Sequence, residues 1–348
     1  MRAVVARGGA VGLEEVEDPV PALGHVLVAP IACGICGSDL HLVESQAAMP
    51  DLMPPIVLGH EFVGEVVDFG PAADRRLAPG SIVTSIPYLD TADGPQLVGL
   101  SPAATGGLAD LMVLEESRLV SVPDGVQVEH AALAEPLAVG LHAAGAAEMQ
   151  AGDVALVVGC GPVGMAVIAS LKAAGHGPVV AADFSPGRRA LAEQIGADVV
   201  IDPAETSPYT KWADLAGPAL PPSPLLETSR RANTVVFECV GVPEMLQTVI
   251  NSAVPHSRMV IVGVCNQPDT IHPMIATAKE LALRFVFAYR VDEFAQAFRW
   301  IVEGTVDVGP FITAMWGLED AADAFVQLRQ PEHHCKILLT PGALRRTP

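Results

Sequence analysis

The sequence predicts an α/β protein of two domains, one rich in short strands and one built on a doubly wound parallel sheet. Three observations lead there. The chain has 348 residues, and at roughly 100–200 residues per domain that length implies two cores. Residues 1–135 carry short β-branched runs divided by Gly and Pro. After Pro136 the pattern changes to strands alternating with helical stretches, as parallel βαβ units require.

In the first region Val26–Ala29, Ile56–Leu58, Phe62–Val67 and Ile82–Ile86 read as strands, and Pro19-Val20-Pro21 and Pro79-Gly80 as turns. Many short strands punctuated this way point to a barrel-like or irregular sheet domain. Leu137–Met149 then reads as a helix, Val154–Val158 as a strand, Val163–Ala174 as a helix, and Val179–Ala182 as a strand ending at Asp183. A helix at Arg188–Ile195 and a strand at Val199–Ile201 complete a βαβαβ run. Residues 203–231 break the rhythm. Five prolines fall within Pro208–Pro224, with Trp212 among them, and the stretch reads as a long surface loop holding a short helix. Alternation resumes with a strand at Thr234–Cys239, a helix at Glu244–Ala253 and a strand at Arg258–Val262. Amphipathic helices near Glu293–Glu303 and Leu318–Arg329 and a strand at Lys336–Leu339 close the chain.

Half of the residues are apolar and 17% are charged, a composition that buries a core. Aromatics are only 5%, so the core is built from Val, Leu, Ile and Ala, which suits strands covered on both faces. The formal net charge of −20 and the lack of a Lys/Arg block argue against nucleic acid and anionic membranes as partners. No signal-peptide pattern and no apolar run of about 18 residues stands out. The six cysteines are spread over a long chain, so a disulfide framework is not expected, and a cytoplasmic, thiol-reduced protein is.

Two motifs carry chemistry. The run Gly159-Cys160-Gly161-Pro162-Val163-Gly164 follows a strand, opens a helix and has the G-x-G-x-x-G spacing. The first glycine permits the tight turn, the second lets backbone approach a pyrophosphate, and the third lets helix pack on strand. The helix N-terminus offers N–H groups to phosphate. Asp183, 19 residues past Gly164 at the end of the next strand, is placed to bind the ribose hydroxyls of NAD and to repel the 2′-phosphate of NADP. Arg188 and Arg189 lie close enough to contact the ribose, or a 2′-phosphate.

The second motif comprises Cys33-Gly34-Ile35-Cys36-Gly37-Ser38-Asp39-Leu40-His41, then Gly59-His60-Glu61, then Ala134-Glu135-Pro136. Thiolate, imidazole and carboxylate are the donors zinc takes when it keeps one position open. Plainer readings stand beside this one: Cys33 and Cys36 as small buried hydrophobes, and Glu135 as an acid favoured at a helix start. Ser38 and His41, three apart, suit a proton relay if helical, or else a cap and a surface residue. Asp39 reads as the partner that fixes the tautomer of His60, or as a first-turn acid.

These stretches, in this order, resemble the zinc-dependent medium-chain dehydrogenase/reductase family, in particular its alcohol and sorbitol–threonine dehydrogenase branch. The resemblance runs over nearly the whole chain, to Pro331–Leu339. It implies a GroES-like β-rich catalytic domain made of residues 1–136 and 289–348, with a Rossmann domain at 137–288. It implies one catalytic zinc held by Cys36, His60 and Glu135, with Glu61 a fourth ligand in some resting forms, and NAD rather than NADP as cofactor. The implied reaction is reversible oxidation of a primary or secondary alcohol, diols and polyols included, with Ser38 and His41 passing the proton outward. Val262-Gly263-Val264 aligns with the segment lining the nicotinamide, and Lys336 with a basic position near the cofactor phosphates or the metal-site glutamate. Val43, Tyr88 and Leu108 are expected to line an apolar substrate pocket. A homodimer or homotetramer is implied. One departure is plain: Ile82–Leu114 contains no cysteine, so the second, structural zinc of many members is not expected. Other classes remain for comparison, a zinc-free quinone or enoyl reductase and a catalytically silent zinc- or nucleotide-binding protein.

Overall fold

A computed structural model describes residues 1–92, 94–217, 233–330 and 333–342. The chain forms two compact units: Met1–Glu135 with Ile301–Gly304 and Phe311–Pro348, and Pro136–Trp300 with Thr305–Pro310.

The first unit is built on antiparallel strands. The long strand His25–Gly34 pairs with Glu61–Phe69 on one side and with Lys336–Thr340 on the other, so both chain ends share one sheet. Met112–Glu115 also pairs with His25–Gly34, and Ile82–Ser85 and Leu119–Ser121 extend the sheet beyond Glu61–Phe69. Val26, Val28, Phe62, Val66, Met112 and Leu339 form its core, contributed by inward-facing positions of several strands. The cysteine-free stretch folds as a hairpin, Tyr88–Thr91 against Gly94–Leu97. Arg118 holds it from outside through a 2.9 Å ion pair to Asp90 and a position 6.0 Å over the Tyr88 ring. His25 Nε2 lies 3.0 Å from the Asp90 carbonyl oxygen, and Leu89 and Val98 are buried beneath.

The second unit holds a six-stranded parallel sheet. Its order is Val199–Ile201, Val179–Ala182, Val154–Val158, Thr234–Glu238, Arg258–Ile261, Ala282–Phe285. The strand order reverses between Val154–Val158 and Thr234–Glu238, the switch point at which open α/β sheets bind ligands. The first helix of this unit, Ala134–Ala146, starts earlier than the sequence suggests because Pro136 is tolerated in a first turn, where no intrahelical N–H bond is needed.

The surface loop with a short helix expected at 203–231 does hold a helix, Pro208–Ala216, but that helix packs on strands Val154–Val158, Val179–Ala182 and Thr234–Glu238 rather than lying at the surface. Trp212 is fully buried, and its Nε1 donates to the Val154 carbonyl at 2.9 Å. The remainder, 218–231, lies outside the described residues. Among the described residues no helix is long and apolar enough to cross a membrane.

Candidate active site

Strand pairing brings the metal-type donors together. Gly34 and Glu61 are partners in the ladder, and a Cβ on Gly34 would lie 2.1 Å from Glu61 Oε2, so glycine there makes room for the carboxylate. Gly59 has φ +103, and a Cβ there would lie 2.7 Å from Cys33 Sγ. The turn that delivers His60 and Glu61 therefore depends on glycine at this point. Cys36 precedes the helix Gly37–Ala48, and its N–H donates to Asp39 Oδ2 at 2.8 Å. One ligand atom each from Cys36, His60 and Glu61 lies within 4.8 Å of the others.

Asp39 is fully buried, and its Oδ1 stands 3.5 Å from His60 Nδ1. On the other side of the ring, Nε2 lies 3.1 Å from Ser38 Oγ. Burial works against a charged His60, but the Asp39 carboxylate and the Cys36 thiolate outweigh it and raise its proton affinity well above the ordinary value. A place where two anions favour a proton that strongly also favours a metal cation, and thiolate, imidazole and carboxylate are zinc's donors. The residues present fit the ion.

The structure separates the two cysteines. Cys33 is fully buried, and burial pushes its thiol well up, so it packs as a small hydrophobe. Cys36 stays half-buried at the site. Glu135 is half-buried at the start of its helix and falls outside the Cys36–His60–Glu61 group. The helical turn Val128–Leu133 just before it packs on the strands that carry Cys33 and Glu61. His41 Nδ1 lies 3.5 Å from Glu44 Oε2, and its side chain is 39% exposed.

Of the two places expected for Lys336 the metal-site glutamate is the one observed, which corrects its assignment to the cofactor phosphates. Its ammonium is buried, bonding Glu61 Oε1 at 2.6 Å, Glu61 Oε2 at 2.7 Å and the Ile35 carbonyl at 3.1 Å, which engages its three donors. Val43 and Leu108, expected to line an apolar pocket, belong to the buried core. Tyr88 is exposed beneath Arg118.

In the second unit, Gly159 has φ +88, and a Cβ on Gly164 would lie 1.9 Å from the Gly159 carbonyl oxygen. A Cβ on Gly161 would meet only Arg188, at 3.8 Å. Gly161 thus stands open before the helix Pro162–Ala173, whose N-terminus has no side-chain cap. Val163 follows half-buried in its first turn. An open helix N-terminus behind a glycine turn fits a dinucleotide pyrophosphate. Asp183 Oδ2 accepts from Cys160 N and Oδ1 from Ser185 N, each at 2.8 Å. Arg188 Nη1 lies 4.0 Å from Asp183 Oδ2. Arg189 donates to the Asp183 and Phe184 carbonyls and pairs with Asp202. After the strand Arg258–Ile261, Gly263 is half-buried and Val264 is 50% exposed. Glu238 was missed by sequence reasoning; the available signal is an acid ending the otherwise apolar strand Thr234–Glu238, three residues before Gly241.

A barrel-like unit with a thiolate–imidazole–carboxylate cluster, and a parallel sheet with a glycine-rich turn at its switch point, define a metal- and dinucleotide-linked dehydrogenase. Residues 22–124 match the alcohol dehydrogenase GroES-like domain, and residues 162–303 match the zinc-binding dehydrogenase domain. The (R,R)-butanediol dehydrogenase of Bacillus subtilis (strain 168) is 31% identical over 95% of this chain and 96% of its own. The sorbitol dehydrogenase of Ovis aries is 31% identical over 92% of this chain and 91% of its own. The crystal structure of 2R,3R-butanediol dehydrogenase from Bacillus subtilis superposes with a TM-score of 0.82 at 29% identity, covering 98% of this chain and 99% of that one. The chain belongs to the zinc-dependent medium-chain alcohol dehydrogenase family. It is an oxidoreductase of small-molecule alcohols that uses zinc and a nicotinamide cofactor.

Proposed function

We propose that the enzyme oxidises a secondary alcohol group of a small diol or polyol with NAD, and that Cys36, His60 and Glu135 hold the catalytic zinc. The observation that carries this reading is the cluster of Cys36, His60 and Glu61 ligand atoms within 4.8 Å. Lys336 already neutralises both oxygens of Glu61, and Glu135 is the carboxylate assigned with Cys36 and His60 by the family resemblance. Glu61 stands behind them as an alternate ligand. When bound, zinc makes the substrate hydroxyl acidic and the nicotinamide takes up hydride.

The protein's own side chains do the rest. Asp39 keeps the His60 ring oriented, leaving Nε2 toward the site. The Ser38 hydroxyl receives the substrate proton, and His41, partly exposed one helical turn on, carries it to solvent. Gly159, Gly161, Pro162, Val163 and Gly164 seat the pyrophosphate, and Gly263 and Val264 lie along the nicotinamide. The choice of NAD rests on Asp183 and on its arginine neighbours. Arg188 is drawn to Asp183 and Arg189 is occupied by two carbonyls and Asp202, so neither is free for a 2′-phosphate. A homodimer or tetramer is favoured by Phe285 and Phe287, 67% and 82% exposed at the end of the edge strand Ala282–Phe285. Six free thiols accord with a cytoplasmic setting.

The test is NAD reduction against a panel of simple alcohols, vicinal diols and polyols, with NADP in parallel, before and after chelation. Turnover of diols or polyols with NAD, abolished by chelation and restored by zinc, is the expected outcome. Turnover that survives verified metal removal would move the protein to the zinc-free reductase reading.

A further inference from the structure

Glu238 ends a central strand at the switch point of the parallel sheet and is 3% exposed. Its Oε1 accepts from Val240 N at 2.7 Å and Gly241 N at 2.9 Å. Its backbone carbonyl accepts from Val262 N and Gly263 N, each at 2.9 Å. One residue thus ties the turn after its own strand to the segment after the next. The two segments touch with no side chain between them. A Cβ on Gly263 would lie 2.3 Å from Gly241 N and 2.8 Å from Glu238 Oε2, and one on Gly241 would lie 2.6 Å from Val264 N. Gly241 itself sits in the left-handed region at φ +69. The turn also abuts the phosphate loop: a Cβ on Gly159 would lie 2.7 Å from Val240 Cγ2.

We infer that Glu238 is a positioning residue that holds the Cys239–Val242 turn and the Val262–Val264 segment as one preformed apolar seat for the nicotinamide half of the cofactor. The inference rests on the placement of the dinucleotide at the glycine-rich turn. The exposed faces of the seat are Val240, Val242 and Val264, at 39%, 47% and 50%. Exposed valines on two adjoining turns at the ligand-binding edge of a sheet suit a flat apolar ring. Burial pushes the Glu238 carboxyl up, and the Gly241 and Val240 N–H groups only partly offset it. Keeping a carboxylate in such a place is costly for the fold. What it gains is a turn whose N–H groups are answered by a fixed acceptor, so cofactor binding need not bear the cost of ordering it.

The test measures the dissociation constant of NADH, from its fluorescence, and steady-state kinetics on the zinc-loaded full-length enzyme. Glu238→Ala is expected to weaken NADH binding about tenfold or more and to raise the KM for NAD, with the alcohol KM held within about twofold. Glu238→Gln keeps an acceptor at Oε1 and is expected to recover most of the affinity. Gly263→Ala leaves the carboxylate in place but forces the two segments apart, so it should produce the same loss and remains readable if Glu238→Ala does not fold. Asp183→Ala reports on the dinucleotide site independently. If Asp183→Ala loses affinity while folded Glu238→Ala and Gly263→Ala bind NADH as the parent does, the positioning role is overturned and the dinucleotide site stands. If all three keep the parent affinity, both are overturned.

Discussion

Lys336 shows how one residue can carry two roles that only packing separates. An ammonium 2% exposed beside a carboxylate 0% exposed is a fully buried ion pair. Burial opposes the charged lysine, yet Glu61 and the Cys36 thiolate hold its pKa above the ordinary value. Lys336→Met is therefore expected to cost about 3–5 kcal/mol in chemical denaturation, because Glu61 is left buried without a counter-charge. Adding Glu61→Gln should recover much of the loss, and a double variant no more stable than the single one would refute the coupling. In the sequence Lys336 could be read toward phosphate or toward the metal-site glutamate, since its partner lies 275 positions away. The same limit applies to Cys33 and Cys36. Their spacing is visible, but only the fold shows that one thiol is packed against Gly59 and Gly107 while the other faces the site. Cys36, His60 and Glu61 are visible in the sequence as zinc-type donors, and the fold adds why Gly59 precedes His60 and why Gly34 faces Glu61.

At the scale of elements, the strands around the glycine-rich turn of the parallel sheet were read almost to the residue, whereas helix starts and the extent of the long strand His25–Gly34, read only as Val26–Ala29, were not. Val154–Val158, Val179–Ala182 and Val199–Ile201 stand where the apolar runs place them, since a strand buried on both faces is a continuous apolar segment. Helices Pro162–Ala173 and Pro186–Ile195 begin at prolines that a cautious reading leaves outside, although a first-turn proline gives up no hydrogen bond. The larger miss is the placement of the short helix Pro208–Ala216. It is expected at the surface, but Trp212, fully buried and bonded to the first strand of the sheet, makes it a layer of the sandwich. Trp212→Ala is expected to destabilise the protein by about 3–5 kcal/mol, and Trp212→Phe by less, in denaturant titrations. A cost under about 1 kcal/mol for the alanine variant would mean that the helix is dispensable to the sheet.

For the whole molecule the dominant fact is the net charge of −20. Mutual repulsion of that size penalises the compact state, and individual pairs must work against it. Burial pushes Asp110 upward, but the Arg2 guanidinium and backbone N–H outweigh it and hold the carboxyl below its ordinary value. Asp198 follows the same rule, with the Val179 N–H and Lys172 outweighing burial. A depressed carboxyl pKa means stability that is present above the unfolded value, about 3.8, and lost as pH falls through the folded one. Melting temperatures should accordingly fall below about pH 4, and Asp110→Asn or Asp198→Asn should lower the neutral-pH value while flattening that acid limb. An unchanged acid limb in both variants would assign it to other groups. The hairpin Tyr88–Leu97 belongs to the same picture. Its anchors are Arg118, whose ion pair salt weakens, His25 at the Asp90 carbonyl and two buried apolar side chains. Chelation is expected to abolish turnover while leaving these anchors in place, with far-ultraviolet circular dichroism unchanged and activity restored by zinc.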